Sequence, residues 1–312
     1  MATRLVSAVI PVYNGERFLA DAIGSVLGQT HRDIECIVVD DGSTDGTADV
    51  ARSFGPDVVL VRKANGGPAS AANAGVAAAT GSLIAFLDSD DVWLPEKLAR
   101  QVDCFDAEPN TVLAFCGYAV VPGRSERPRY RIYATEPRAR IRSALMMEAY
   151  GIAFSSTAMI SREAATSVGP LDERLSVGAD IAYAWRLAQR GEVVAIPDAL
   201  ALYRLHGHAQ MHNNLDAIEH DAEIFMPDVF RGEDATLRRA RANLHTHLTF
   251  RHLLRGHLRR AAKHARCVMA QDPDRLLALP LTALWRRVAR RVSGHWPLAT
   301  PARPASAPAL PL

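Results

Sequence analysis

Phe86-Leu87-Asp88-Ser89-Asp90-Asp91 places three carboxylates directly behind an apolar run. Acids crowded at the end of a buried strand repel one another, and a divalent cation with oxygen ligands relieves that repulsion. A turn capping the segment that opens at Pro95 uses the same residue types, so metal site and cap both stand at this point. Val38-Val39-Asp40-Asp41-Gly42-Ser43 repeats the arrangement with acids before a glycine-permitted turn. Such acids suit ribose hydroxyls or base N–H groups, or a cap at Ser43 or Thr44. Asp180 opens a helical segment, where a carboxylate takes a proton or caps the helix. His206 follows Tyr203-Arg204-Leu205 at a strand end, where an imidazole ligates a metal, bonds a diphosphate or simply packs.

The elements that must position these groups alternate in the manner of βαβ units. Val6–Ile10, Ile34–Val39, Val58–Val61 and Leu83–Leu87 read as strands. Glu16–Leu27 reads as a helix with Phe18, Leu19, Ile23, Val26 and Leu27 on one face, and Pro68–Ala79 as an alanine-rich one. Pro11-Val12-Tyr13-Asn14-Gly15 and the two acidic clusters all follow strands. In an open parallel sheet ligands bind beyond the carboxyl ends, so the three clusters point at one crevice. Further on, Glu96–Asp106 and Asp180–Arg190 read as helices, and Val112–Ala119, Ser155–Ile160 and Ala199–Leu205 as strands. Residues 122–137, rich in Pro and Arg, read as a loop or hairpin.

From about Leu215 only helical periodicity remains, including Ala240–Arg255 and Leu258–Ala270, joined by a turn at Arg255-Gly256-His257. The organisation expected is a catalytic domain over 1–212, a basic helical region over 213–295 and a disordered Pro/Ala-rich tail over 296–312. The net charge of +2 hides an asymmetry, since residues 237–295 hold fourteen Arg or Lys against two acids, about +12, leaving about −10 elsewhere. That basic arm suits an anionic membrane surface or pairing with the acidic body, and residues 276–292 read as an interfacial amphipathic helix. Four widely spaced cysteines without a CxxC pair suggest neither a zinc site nor a disulfide framework. The apolar stretch ending at Pro11 is too short for a signal peptide and no stretch is long enough to span a bilayer. The expected location is the cytoplasm, with peripheral contact to the inner face of the membrane.

In order and spacing, residues 6–15, Ser25-Val26-Leu27-Gly28-Gln29-Thr30, Ile37–Asp45, Asn73-Ala74-Gly75 and Asp88-Ser89-Asp90 resemble glycosyltransferase family 2, the inverting family with the GT-A fold. The likeness runs from residue 5 to about 206. It implies an α/β architecture, a Rossmann-like nucleotide-binding mixed sheet flanked by helices, here with a C-terminal helical extension. It also implies that Pro11, Val12, Tyr13, Glu35, Asp41, Asn73, Asp88 and Ser89 contact the nucleotide. Asp90 and His206 would hold a divalent cation, Mn2+ or Mg2+, and Asp180 would be the catalytic base. Two positions depart from the family pattern. Ala179 replaces the Glu that commonly precedes the base, and Ala72 replaces an Arg that often precedes Asn73.

The expected activity is metal-dependent, non-processive transfer of a hexose from a nucleoside diphosphate sugar, UDP-linked by resemblance, to an acceptor hydroxyl. A saccharide or lipid-linked acceptor would place it in surface polysaccharide or glycolipid synthesis; no nucleic-acid partner is expected. A nucleotidyltransferase and a catalytically silent nucleotide-sugar-binding module are the alternatives. The first lacks a Gly-rich phosphate loop near the first strand, and Ala179 keeps the second open.

Overall fold

A computed structural model of the protein describes residues 4–123, 130–132, 136–145, 154–206 and 214–272. Its elements in chain order are β1 (Val6–Val12), α1 (Leu19–Leu27), β2 (Ile34–Asp40), α2 (Thr47–Arg52), β3 (Val58–Arg62), α3 (Pro68–Ala78), β4 (Leu83–Phe86), β5 (Val92–Trp93) and α4 (Lys97–Ala107). There follow β6 (Thr111–Pro122), β7 (Tyr130–Ile132), α5 (Pro137–Leu145), α6 (Phe154–Thr157), β8 (Ala158–Ser161), α7 (Arg162–Val168), α8 (Ala179–Ala188) and β9 (Glu192–Leu205). The helices α9 (Leu215–Val229), α10 (Asp234–Leu254) and α11 (Leu258–Gln271) complete the order.

One mixed sheet runs β3-β2-β1-β4-β8-β6-β9-β5, with β7 paired to β6. The four strands from β3 to β4 are parallel, and β8 and β5 run against their neighbours. Alternation along β1 divides the core. Val6, Ala8, Ile10 and Val12 pack against Leu19, Ala22, Ile23 and Val26 of α1 and Leu98, Val102 and Phe105 of α4. Val9 points the other way, into a core with α3, α8, α9 and α10. The helices from α9 onward are thus not a loose appendage, because Leu215, Ile218, Phe225, Met226, Leu244 and Leu248 share that second core with the sheet. All four residues of β4 are buried, each apolar side chain of Leu or Ile size stabilising by roughly 1.5–3 kcal/mol.

The alanines of α3 let it lie close on the sheet. A Cβ on Gly75 would collide with Val9 and press on Val39, which explains a glycine inside a helix. Three boundaries differ from the sequence reading. Glu16 and Arg17 stay outside α1, because the Glu16 carboxylate accepts from Gly46 N–H at 2.7 Å and ties this turn to the one before α2. Residues 154–157 form one helical turn before β8 begins. The strand β9 starts seven residues earlier than the expected Ala199. Pro197 cannot donate to the ladder, and the register of β6 steps from Ile196 to Ala199 across a bulge. Residues 122–137 contribute β7 as a hairpin partner of β6, and α10 and α11 form a hairpin whose turn holds Gly256 at φ +74°. The expected interfacial helix at 276–292 and the tail lie outside the described residues.

Candidate active site

The parallel strands β1, β2 and β4 end side by side, which brings the three polar turns together. Asn14, at φ 51°, stitches the first turn to the second. Its N–H donates to Ser43 Oγ at 2.9 Å and its side-chain oxygen accepts from Thr44 N–H at 2.9 Å, while Gly15 N–H donates to Thr47 Oγ1 at 2.8 Å. Tyr13 is left 53 % exposed, so its ring offers a free stacking face. Ser89 packs against Gly15, where a Cβ would lie 3.3 Å from its Oγ.

Asp88, Asp90 and Asp91 offer carboxylate oxygens that lie within 4.8 Å of one another. The three are not equivalent. Asp91 is buried and accepts from Ser156 Oγ and from Arg204 N–H at 2.9 Å, so it fastens the turn to β9. Asp88 and Asp90 remain partly open, and His206 Nε2 lies 2.6 Å from Asp90 Oδ2. Burial first, then the charges of Asp90 and Asp180, push the Asp88 carboxyl up to about 7, against a hydrogen bond from Ser155. Burial and the neighbouring acids likewise raise Asp91. Like charges held this close fit a cation. Oxygen ligands of this kind suit Mn2+ or Mg2+; Asp88, Asp90 and Asp91 could hold such a cation, with the His206 imidazole against Asp90.

Behind the acids runs a buried polar chain. Ser156, bonded to Asp91, also accepts at its carbonyl from Trp93 Nε1 at 2.8 Å. The Trp93 ring lies 3.9 Å beneath Lys97 Nζ, and that ammonium donates to Gln101 Oε1 at 2.7 Å. Burial pulls the Lys97 ammonium down to about 8. On the other side, Arg204 pairs with Asp21 at 3.0 Å and lies over Phe18, whose ring meets that of His206 at 4.9 Å. The guanidinium and ring thus hold the end of β9, with His206, against α1.

Asp180 arrives from a distant part of the chain. Gly178 is the N-cap of α8, so the carboxylate sits in the first turn and accepts from Ile181 N–H at 2.6 Å. Burial pushes this carboxyl up to about 6, the backbone N–H groups opposing it and the charge of Asp221 adding to it. Asp221, on α9, is buried, and one of its oxygens accepts from the N–H groups of Ser176, Val177 and Gly178 at 2.8, 2.5 and 2.9 Å. A single carboxylate from the C-terminal helices therefore fixes the loop that presents Asp180. Asp221 escaped the sequence reading, yet it carried a signal. It occupies an inward position of α9 among Ile218, Ala222 and Phe225, where an acid needs a partner.

Asp88, Ser89, Asp90, His206, Asp180, Tyr13 and Pro11 all gather at or beside the strand ends. Four other expected contacts are placed differently. Glu35 stands at the opposite end of β2, five residues before Asp40, roughly 17 Å along the strand. Its carboxylate is taken by Ser7 Oγ, Thr80 N–H and Oγ1, and Gly81 N–H, so the expected nucleotide contact is corrected to a strand-end clamp. Burial alone would raise its pKa, but those hydrogen bonds outweigh it and hold the carboxyl below the usual range. Asn73 accepts from Leu171 N–H at 2.8 Å and donates to Leu171 O and Glu173, so its amide holds the 171–173 loop to α3. Asp41 binds Lys63 at 2.6 Å and the N–H groups of Gly66 and Gly67, shaping the 63–67 loop beside the crevice. Val12 buries its side chain in the core, and its carbonyl accepts from Asp41 N–H at 2.9 Å.

Residues 7–169 match the sequence model of Glycosyl transferase family 2. The chain belongs to that family. The GT-A architecture expected from the motifs is the one found, a mixed sheet flanked by helices with further helices at the C-terminal side. An uncharacterised glycosyltransferase of Nostoc sp. (strain PCC 7120 / SAG 25.82 / UTEX 2576) is 35 % identical over 211 residues, 65 % of this chain and 65 % of its own length. The match thus spans about two thirds of that relative. A Bacillus subtilis (strain 168) protein named as a teichuronic acid biosynthesis glycosyltransferase is 39 % identical over 122 residues, 38 % of this chain and 48 % of its own. Two solved structures share the fold. The mannosyltransferase PcManGT of Pyrobaculum calidifontis, in complex with GDP-Man and Mn2+, superposes with TM-score 0.59 at 23 % identity over 92 % of this chain and 80 % of that one. S. aureus TarS 1–349, in complex with UDP-GlcNAc, does so with TM-score 0.62 at 18 % identity over 88 % and 83 %. Among the described residues no helix is long and apolar enough to cross a membrane.

Proposed function

We propose that this family-2 chain transfers a hexose, with inversion and one residue at a time, from a nucleoside diphosphate sugar to an acceptor hydroxyl. The observation that supports the reading is the cluster of Asp88, Asp90 and Asp91 after β4, with Asp180 presented in the first turn of α8 by the loop that Asp221 fixes; the Asp180 charge adds to the rise of the Asp88 carboxyl. Asp180 takes the proton of the acceptor hydroxyl as that oxygen bonds to the anomeric carbon. The bond from that carbon to the diphosphate oxygen breaks, and the diphosphate leaves with the electron pair. A divalent cation, when bound, supplies Lewis acidity to the leaving diphosphate. Asp90, Asp88 and His206 orient that end of the donor, Tyr13 stacks on the base, and the 63–67 loop anchored by Asp41 flanks it. A carboxyl held near 6 is mostly ionised at neutral pH yet basic enough to accept a proton.

The mixture of GDP- and UDP-bound relatives in fold leaves uridine as the favoured base by motif alone. Similarity to the B. subtilis protein supports a surface polysaccharide acceptor, and the cytoplasmic face of a membrane is the place where a lipid-linked one is met. The deciding experiment titrates UDP, GDP and dTDP calorimetrically, with and without Mn2+, into wild type and Asp90→Ala, then assays sugar transfer with the matching donors. Tight binding of one nucleotide that needs both Mn2+ and Asp90, followed by transfer abolished in Asp180→Asn, is the expected result. Metal-independent binding, or binding with no transfer, would replace this reading with the silent nucleotide-sugar module.

A further inference from the structure

A second cluster of ligating side chains lies far along the chain from the acids after β4. Glu219 on α9, His245 on α10 and His264 on α11 each offer one ligand atom, all within 4.8 Å of one another, and both histidines are buried. We propose that Glu219, His245 and His264 form a binding site for a zinc-class transition-metal ion that joins the three C-terminal helices.

The geometry is close to what such an ion requires. Bonds of about 2.0–2.1 Å in a tetrahedron set neighbouring ligand atoms roughly 3.4 Å apart. His245 Nδ1 and His264 Nδ1 stand 3.1 Å apart, close to that span, and the Glu219 carboxylate lies beside the pair, one ligand atom from each of the three residues falling within 4.8 Å of the others. One oxygen of Glu219 is held by Lys263 Nζ at 3.1 Å, which orients the carboxylate and leaves Oε2 towards the rings. Two buried imidazoles that present the same nitrogen to each other share one proton between those nitrogens. A metal ion takes that proton's place. Burial holds His245, His252 and His264 below the ordinary histidine range, in the neutral form that ligates.

The surroundings support the same assignment. The His252 ring lies parallel to that of His264, centroids 5.4 Å apart, and His257 Nδ1 stands 3.3 Å from His252 Nδ1. The four histidines pair at heptad spacing, 245 with 252 on α10 and 257 with 264 across the turn into α11. Two imidazoles and one carboxylate favour Zn2+ or Co2+ over the Mg2+ and Mn2+ suited to the oxygen-rich cluster after β4. Three protein ligands leave a fourth position for water.

The test titrates Co2+ and then Zn2+ into metal-stripped full-length protein, in wild type, Asp90→Asn, His264→Gln and the milder Glu219→Gln, each checked for folding by circular dichroism. The expected result is an intense visible band of four-coordinate cobalt, displaced by zinc, in wild type and Asp90→Asn. Affinity should fall at least tenfold in His264→Gln and Glu219→Gln, with zinc raising Tm by several degrees only in the first two. A wild type with no such band and no zinc-dependent Tm shift would overturn the site. So would a band that survives His264→Gln, or one lost in Asp90→Asn alone, which would place the ion at the acids after β4.

Discussion

Removing the Asp221 carboxylate should damage both the fold and the turnover, because this one group holds three consecutive backbone N–H donors in front of α8. Hydrogen bonds to a charged acceptor contribute about 1.5–3 kcal/mol each, and three that share one oxygen add less than their sum. For Asp221→Ala, which strands the donors in a buried place, we expect about 3–5 kcal/mol of lost stability in urea denaturation. Asp221→Asn keeps an acceptor oxygen and should lose only about 1–2 kcal/mol. The loop then positions Asp180 less well, and a displacement of about 1 Å lowers kcat by roughly 10²-fold. The Asn variant adds a second readout. Burial raises the Asp180 carboxyl to about 6 and the Asp221 charge adds to the rise, so deleting that charge should move the acidic limb of the rate profile to lower pH. The assay is nucleoside diphosphate release from pH 5 to 9 with the donor chosen by titration. Wild-type stability and turnover in Asp221→Ala, or an acidic limb displaced upwards in Asp221→Asn, would refute the reasoning.

In the wild type, kcat/KM should rise through a single ionisation near pH 6 and then level off, and Asp180→Asn should lose about 10³-fold or more at every pH. The raised Asp88 carboxyl has a stability consequence in metal-free protein. Its folded value of about 7 exceeds the ordinary carboxyl value of about 4, so its favourable contribution is complete below about pH 4 and disappears as pH rises through 7. Asp88→Asn should therefore melt higher than wild type at pH 8 in chelator, and the difference should vanish towards pH 4. At pH 8, Mn2+ at a hundredfold excess over its Kd should raise wild-type Tm by roughly 5 °C, and Asp90→Asn should show little of that rise. Glu35→Gln should lower stability by about 1–2 kcal/mol while leaving nucleotide affinity unchanged by calorimetry, since its carboxylate clamps Ser7, Thr80 and Gly81 at the far strand ends.

What could be read from the sequence was local. Strands β1, β2 and β4 announce themselves as short β-branched runs that stop at polar turns, and parallel pairing then forces the turns together without further information. Asp88 and Asp90 were legible because three acids after Leu87 demand compensation. The parts that stayed hidden are pairings between distant residues. Nothing near Lys97 shows that its ammonium is buried over Trp93 instead of lying in water on the surface of α4. Glu35 is similar, because a motif places it beside the nucleotide-binding strand while only the register of β2 shows which end it occupies. The Pro197 bulge shortened the apparent β9 because one missing N–H interrupts the pattern, although the ladder continues on both sides.

The basic segment suited either an anionic surface or pairing with the acidic body, and part of it is paired in this way: Arg241, Arg260 and Lys263 meet Glu223, Asp216 and Glu219 of α9. The helix α9 supplies acids in two directions. Asp221 turns inward to the loop before α8, whereas Glu219, two residues earlier and so on another face, meets α10 and α11. Anything that tightens the packing of α9 against α10 and α11 therefore bears on the placement of Asp180 through Asp221. The helices beyond β9 have a mechanical reason to be retained beside the transferase sheet that does not depend on any membrane. A chain cut before α9 would keep Asp88, Asp90 and Asp180 in its sequence, but the three N–H groups of residues 176–178 would lose their acceptor, and Asp180 the support of the loop before it.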